Sequence, residues 1–347
     1  MKTYNTFKIN TKNVIAQLRT FTYLFGTFFI TALLLASCSN NDDGDDFPIE
    51  VATPEEFKAI QDEVLEDLTQ SFQFNAEDGW VNLTSENGVN IGINAGCLTL
   101  NGNAVSGQID LDFVELFDKG NMLLTNKPTM GMLPNGDKAM LISGGEFFIE
   151  ATQNGQALDT NCSIQMSIPS ALTGGTDNDM TLWNGIIDED GNLAWEEANR
   201  EDGAGGPQGE GGLFVEGNQY YTFVHDFGWS NVDRFYNDPR PKTTILVDAP
   251  DGYDNTNCAL YLSYDGEDTG LANLDTYSTE TGLFSEHYGQ IPIGLECHVI
   301  FVTEENGNWK YAIKGVTIDE NETIVISEDD TNVVTESQLM NLINDLP

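Results

Sequence analysis

Catalysis needs converging acids, bases and nucleophiles, and this chain places few of them together. Its three histidines are His225, followed by Asp226; His287, preceded by Glu286; and His298, preceded by Cys297. A histidine beside a carboxylate could begin a catalytic dyad, but no G-x-S-x-G elbow or comparable nucleophile accompanies either pair. Cys297 and His298 are neighbours on a predicted strand and point to opposite faces, so they cannot share a zinc ion, and no H-E-x-x-H is present. The histidines therefore read as hydrogen-bonded structural or surface groups. Close carboxylate pairs carry no signal among 56 Asp and Glu, and glycosidase chemistry would bring a large aromatic-lined cleft in a bigger catalytic fold. No catalytic residue and no enzyme activity is predicted.

Binding chemistry is better represented. Trp195, Trp229, Phe235 and Tyr236 border an irregular middle segment, and "DRFYNDPRPK" adds Arg234 and Arg240 to a strongly acidic background. Exposed aromatic rings beside Asn and Arg are how proteins stack on sugars or anchor a partner. These six residues are the predicted binding surface; the competing reading is that the rings are core and the arginines make internal ion pairs. "DEDGNLAWEE" imitates the start of an EF-hand calcium loop with Asp188, Asp190 and Asn192. However, Leu193 stands where that loop needs glycine, and Asn199 fills the twelfth position. Calcium binding there is expected to be weak, and no other metal or cofactor is implied.

The elements that must position these residues follow from periodicity. Thr53-Pro54-Glu55-Glu56 forms a capping box with proline at the first helical position, and Phe57, Ile60, Val64, Leu65 and Leu68 then recur at helical spacing. Residues 51–71 are predicted as an amphipathic helix. The period then changes to two: "GWVNLTS", "GVNIGINAG", "SGQIDLDFVELF", "GGEFFIEATQNG" and "CSIQMSIPS" alternate apolar and polar residues between Gly, Asn and Asp. Residues 72–170 are expected to form a β-sandwich or partly open barrel. Residues 171–242 are read as a less regular connecting segment: "MTLWNGIIDEDGNLAWEEAN" gives two strands joined by a turn at Asp188-Glu189-Asp190-Gly191-Asn192, and a glycine-rich loop, "EDGAGGPQGEGG", precedes the strand "NQYYTFVHDFGW". Strands return over 243–330, where "EENGNW" puts Asn306-Gly307 at a tight turn, and Leu339, Leu342, Ile343 and Leu346 mark a C-terminal helix within 331–347. The fold class predicted is mainly β: two sandwich modules with a short helix near each end.

Two stretches resemble known modules. "VNIGINAGCLTLNGNAVSGQIDLDFVELFDKGNMLLTNKPTM" followed by "LISGGEFFIEATQNGQAL" is similar to the ZU5-like β-modules of bacterial surface proteins. The 243–330 region resembles a carboxypeptidase-regulatory-like, immunoglobulin-like sandwich. Both resemblances imply scaffolding and contact, and neither brings an active-site residue.

The start of the chain carries an address. Met1 to Thr20 holds Lys2, Lys8, Lys12 and Arg19 with no acid, and Phe21 to Leu35 is apolar. As a helix, those fifteen residues span about 22 Å, short of the roughly 30 Å of a bilayer's hydrocarbon core, so a cleaved signal is expected over residues 1–37. Leu35-Ala36-Ser37-Cys38 resembles a bacterial lipobox, which makes Cys38 the lipidation site and first mature residue. Ser39 and the acidic tether within 38–50 (Asp42, Asp43, Asp45, Asp46) resemble the export signal of surface lipoproteins of the Bacteroidota; by charge alone they read as a solvated spacer. The protein is therefore expected on the outer membrane, lipid-anchored and exposed at the cell surface.

With the signal gone, its four basic residues go too, leaving 10 Lys and Arg against 56 Asp and Glu, a formal balance of −46. Charge attraction to nucleic acid or to an anionic membrane surface is excluded as a function class. A membrane contact through lipid and a glycan or envelope-protein partner remain. Of the four cysteines left after Cys38, Cys97 and Cys162 fall in the first β-region and Cys258 and Cys297 in the second. Three pairings are possible; one bridge in each region is the economical assignment, with four buried thiols as the alternative. The function expected is a non-catalytic module for binding, adhesion or envelope organisation. Carbohydrate capture beside an outer-membrane importer is the first alternative, and a hydrolase of undetected type the second.

Overall fold

The structure is a computed structural model that describes residues 51–187, 191–198 and 212–347. Cys38, the acidic tether, Asp188, Asp190 and nearly all of the glycine-rich loop lie outside the described residues. The protein is mainly β, and the described residues form four principal sheets and three α-helices.

Alternation along the strands explains the first pair of sheets. Sheet I runs in the order Gln70–Asn75, Gln108–Leu116, Lys138–Gln153, Gly228–Phe235, Thr181–Ile187, Leu193–Glu197 and Met130–Met132. Sheet II runs Leu213–Glu216, Gln219–Val224, Ile164–Pro169, Asn90–Asn94 and Trp80–Thr84. Every second residue points between the two sheets: Ile109, Leu111 and Phe113 from one, Ile91, Ile93, Ile164, Met166, Ile168 and Tyr220 from the other, all buried in one core. Sheets III and IV make the second sandwich. Sheet III orders Thr276–Ser278, Leu283–Pro292, Lys242–Asp248 and Thr323–Val325. Sheet IV orders Ala272–Asn273, Ala259–Tyr264, Glu296–Glu305, Asn308–Thr317 and Asn332–Val334. The core between them, with Val247, Phe284, Leu262 and Phe301, is continuous with that of the first sandwich. Asn306 and Gly307 take φ of 53° and 76°, as the tight turn between two sheet IV strands requires.

The middle segment departs from expectation. Residues 171–242 were expected to be a less regular connector between the sandwiches, with strands in "MTLWNGIIDEDGNLAWEEAN" and "NQYYTFVHDFGW". Those strands are present, as Thr181–Ile187, Leu193–Glu197 and Gln219–Val224, but together with Leu213–Glu216 and Gly228–Phe235 they belong to sheets I and II rather than to a connector. Sheet I also closes on itself at one end. Met130–Met132 pairs antiparallel with the start of Lys138–Gln153 and parallel with Leu193–Glu197 through Gly131 opposite Trp195, so five strands complete a ring. Leu141, Trp183, Leu193 and Trp195 fill that ring, with Trp229 and Phe235 packed against them. Two glycines make room for this packing: a Cβ on Gly185 would lie 2.5 Å from Trp229, and one on Gly131 2.6 Å from Leu141.

The helices cover faces that would otherwise be wet. Helix α1, Pro54–Asp67, starts at the capping box, where Glu56 N donates to Thr53 Oγ1 (3.2 Å) and Thr53 N to Glu56 Oε2 (2.9 Å). Its Phe57 meets Trp309 of sheet IV edge-on, with ring centres 6.4 Å apart. Helix α2, Lys119–Leu124, lies against α3, Glu336–Asn344, where the Gly120 amide donates to Asn344 Oδ1 at 2.7 Å. Together they bury Val114 and Leu116 of sheet I and Tyr261, Ile300 and Val302 of sheet IV. Among the described residues, no helix is long and apolar enough to cross a membrane.

The cysteines divide. Cys97 and Cys162 are bridged with Cα atoms 5.7 Å apart, closing a separation of 65 residues, a constraint worth about 4 kcal/mol through the unfolded chain. The second expected bridge is absent, and Cys258 and Cys297 are buried free thiols. Register gives the reason. Cys297 pairs with Tyr264, whereas Cys258 precedes Ala259, which pairs with Val302. The two therefore sit at opposite ends of one strand pair, about 20 Å apart, where a disulfide spans under about 7 Å.

Candidate functional site

The residues predicted to bind are mostly engaged internally. Trp195 is fully buried inside the ring, and its Nε1 donates to the Pro128 carbonyl at 2.9 Å. Trp229 is half-buried between Phe148, 5.4 Å away, and Lys127, whose Nζ is 5.4 Å from the indole centre. Phe235 meets Trp183 edge-on at 5.1 Å. Arg234 Nε is held by Asp177 at 2.6 Å. Tyr236 packs on Tyr264 of the second sandwich and donates to Asp238. Arg240 grips Asp238 with Nε and Nη2 and donates from Nη1 to the Gly294 carbonyl at 2.6 Å. That guanidinium holds the Asp238 carboxyl far below the usual carboxylate range. The predicted surface of Trp195, Trp229, Arg234, Phe235, Tyr236 and Arg240 is thus corrected: it is a packed and ion-paired seam. Trp229 and Phe235 are half-buried against the ring of strands, and the arginines find carboxylates within the fold.

The histidines do not gather either. His287 Nδ1 lies 3.1 Å from Thr276 Oγ1, and His298 Nδ1 lies 2.9 Å from Asp265. Glu286, beside His287, instead accepts from the Gly289 and Gln290 amides, and burial pushes its carboxyl up to about 7. A cleft of about 390 Å³ beside α1 is lined by Lys58, Asp62, Lys127 and Asp275, but Asp62 is paired with Lys58 and Asp275 with Lys138. A buried polar cluster sits on the covered face of sheet I. There Glu146 stands opposite Asn231, and Ser143 opposite Asp233, across a bulge. Burial and mutual repulsion push Glu146 well above its ordinary range, and burial does the same to Asp233. Neither Glu146 oxygen finds a hydrogen-bond partner among the described residues.

The surface with binding character is the outer face of sheet II, to which sequence reasoning assigned no site. Across four of its five strands, from Trp80–Thr84 to Gln219–Val224, the outward positions hold no Asp, Glu, Lys or Arg, in a chain in which 20% of residues are charged. Glu216, on the outermost strand, is the one charge. Trp80 is 47% exposed, and its ring reaches to Gly92 on the neighbouring strand; a Cβ at Gly92 would sit 2.6 Å from the indole. Its Nε1 donates to Asn82 Oδ1 at 3.0 Å. On the far side, Phe214 stacks on Tyr221 with centres 4.9 Å apart and planes 9° from parallel, and lies 6.0 Å from Phe223.

Register joins the two ends of this face. Phe223 pairs with Gln165, Gln165 with Gly92, and Gly92 with Asn82, so one row across the sheet runs ring, amide, indole, amide. A parallel row runs Phe214, Tyr221, Ser167, Asn90 and Thr84. The amides are fixed: Thr84 Oγ1 donates to Asn90 Oδ1 and Ser167 Oγ to Gln219 Oε1, each at 3.0 Å. With those oxygens occupied, the NH₂ groups of Asn82, Asn90 and Gln219 have no protein acceptor among the described residues. The arrangement can stack flat apolar faces and offer oriented donors between them. Its sequence signal was the freedom from charge of alternate positions in "WVNLT", "NIGIN", "IQMSI" and "QYYTFV". No family model matches the chain, and no curated protein is similar to it in sequence.

Proposed function

We propose that this protein is a non-catalytic binding module, held on the outer membrane by lipid on Cys38 and displayed at the cell surface, with the outer face of sheet II as its contact surface. The single observation that supports this reading is the contrast between that face and the rest of the molecule. On sheets I and IV the rings of Trp183, Trp195 and Trp309 are buried in the ring of strands or beneath a helix, and the apolar side chains left exposed there are the aliphatic Ile186, Ile187 and Val333, whereas Trp80 is an exposed aromatic ring beside unpartnered amide donors. An uncovered aromatic surface rimmed by polar groups marks an interaction site. The basic then apolar start, the lipobox-like Leu35-Ala36-Ser37-Cys38 and the acidic tether support the anchor.

The test is a photo-crosslinking side chain placed at Gln165, an exposed position at the centre of the face, in the lipidated protein on living cells. Adducts should form there and not from the same group at Thr323, an exposed position on sheet III. Equal adducts from both positions, or none from Gln165, would remove sheet II from the proposal.

A further inference from the structure

We infer that the outer face of sheet II binds an uncharged glycan chain laid across its strands. This rests on the reading of that face as the contact surface and adds the chemical class of its ligand.

Three partner classes can be weighed against the face. A sulfated or uronic-acid polymer would approach a chain with a formal balance of −46 and be repelled. A basic protein would find carboxylates over the rest of the molecule and, on this face, only Glu216 at the rim. An apolar protein patch would bury the amide donors of Asn82 and Gln165 without acceptors, and each buried unmade hydrogen bond costs about 1 to 3 kcal/mol. A neutral sugar escapes all three objections. Its axial C–H groups form an apolar face that stacks on an aromatic ring, and the hydroxyls around its edge accept from and donate to amides.

The geometry fits a chain running across the strands. The Trp80 indole lies over Gly92, and Phe223 stands in the same row two strands away with Gln165 between them. That separation is about 10 Å, two strand spacings, which gives a short oligosaccharide two stacking points around one central amide. The indole is placed by the room left at Gly92, which has no side chain, and by its bond to Asn82. Little side-chain freedom is therefore left to lose on binding, which favours affinity.

The experiment is native affinity electrophoresis of the full mature chain in gels cast with galactomannan, mixed-linkage β-glucan, arabinoxylan or dextran, with alginate and chondroitin sulfate as charged comparisons. At least one neutral polymer should retard the protein, and the retardation should survive high salt because no ion pair carries it. Trp80→Ala should weaken binding about tenfold or more, equivalent to about 1.4 kcal/mol for the missing stacking surface, while Trp80→Tyr keeps most of it. Gln165→Ala should weaken it several-fold. Trp80 and Gln165 are exposed, so both variants should melt with the wild type. Retardation by charged polymers alone, by none of the polymers, or undiminished in the Trp80→Ala, Gln165→Ala double variant would overturn the inference. A protein adduct from Gln165 on cells together with no polysaccharide retardation would sink the glycan and leave the binding reading standing. Failure of both experiments would end both.

Discussion

The outer faces of sheets I and II are made from similar residues and come to opposite ends. Sheet I presents Trp183, Trp195, Trp229 and Phe235 at alternate strand positions, and sheet II presents Trp80, Phe214, Tyr221 and Phe223 in the same way. On sheet I the pairing of Gly131 with Trp195 closes five strands into a ring, and Trp183 and Trp195 become core with Trp229 and Phe235 half-buried against them. On sheet II the two edge strands, Trp80–Thr84 and Leu213–Glu216, do not meet, and the aromatic side chains remain half in water. The same aromatic side chain is therefore packing or platform according to whether its sheet closes, which residue type alone cannot tell.

The sharpest test of that contrast is a pair of tryptophan truncations. Trp195→Ala should cost about 3 to 5 kcal/mol, because it empties the middle of the ring and strands the Pro128 carbonyl. Trp80→Ala should change stability by less than about 1 kcal/mol. Denaturant unfolding of both variants measures the difference. Comparable losses would mean that the face of sheet II is as structural as the ring, and the comparison would break.

Acidity gives a second, smaller contrast, since sheet I buries Glu146 and Asp233 while sheet II buries no carboxylate on either face. Glu146 faces Asp233, whose charge would raise its carboxyl further, and Lys127, whose charge opposes the shift; Ser143 and Asn231 are the neutral groups beside Asp233. A carboxyl raised in the folded state stays protonated there after the unfolded chain has ionised. Its stabilising effect is complete below the unfolded value near 4.5 and is lost as pH rises from there toward the folded value. Each such group lowers unfolding free energy by at most about 1.4 kcal/mol per pH unit. Glu146→Gln should therefore flatten the decline above about pH 5, measured as unfolding free energy against pH. An unchanged slope would show that Glu146 ionises freely and that the covered face is wetter than its packing implies.

How much of this was legible depends on the range of the interaction that decides each feature. The capping box at Thr53, the Asn306-Gly307 turn and the strand alternation are local, and each appears in the structure. The Cys97–Cys162 bridge followed from placing both residues in one β-region. The failures are all matters of pairing across distance. Cys258 and Cys297 share a strand pair but lie at its opposite ends, which only the register reveals. The ring depends on Gly131 meeting Trp195, a parallel pairing with no periodic trace in the sequence. Arg234 and Arg240 looked available because the chain is so acidic, and that same acidity supplied Asp177 and Asp238 to hold them. The face of sheet II was half legible: its strands were read, and its lack of charge was there to be seen, but alternation does not say which side stays uncovered.

The finest test concerns Gly92, where one missing Cβ leaves room for an indole. Alanine there would place a methyl 2.6 Å from the Trp80 ring, so the ring must lift away from the sheet. The backbone itself favours the change, since glycine within a strand costs about 0.5 to 1 kcal/mol relative to alanine, and the packing energy that a half-exposed ring gives up is of similar size. Net stability should therefore move by less than about 1 kcal/mol, while hydroxyl-radical labelling at Trp80 rises and that at Trp195 stays low. If labelling of Trp80 is unchanged, the glycine is not what holds the indole down. If it rises together with a large loss of stability, Trp80 is a packing residue after all. A rise in labelling with stability preserved would show that sheet II keeps an aromatic surface which its own fold does not require, whereas on sheet I Trp183 and Trp195 fill the ring of strands.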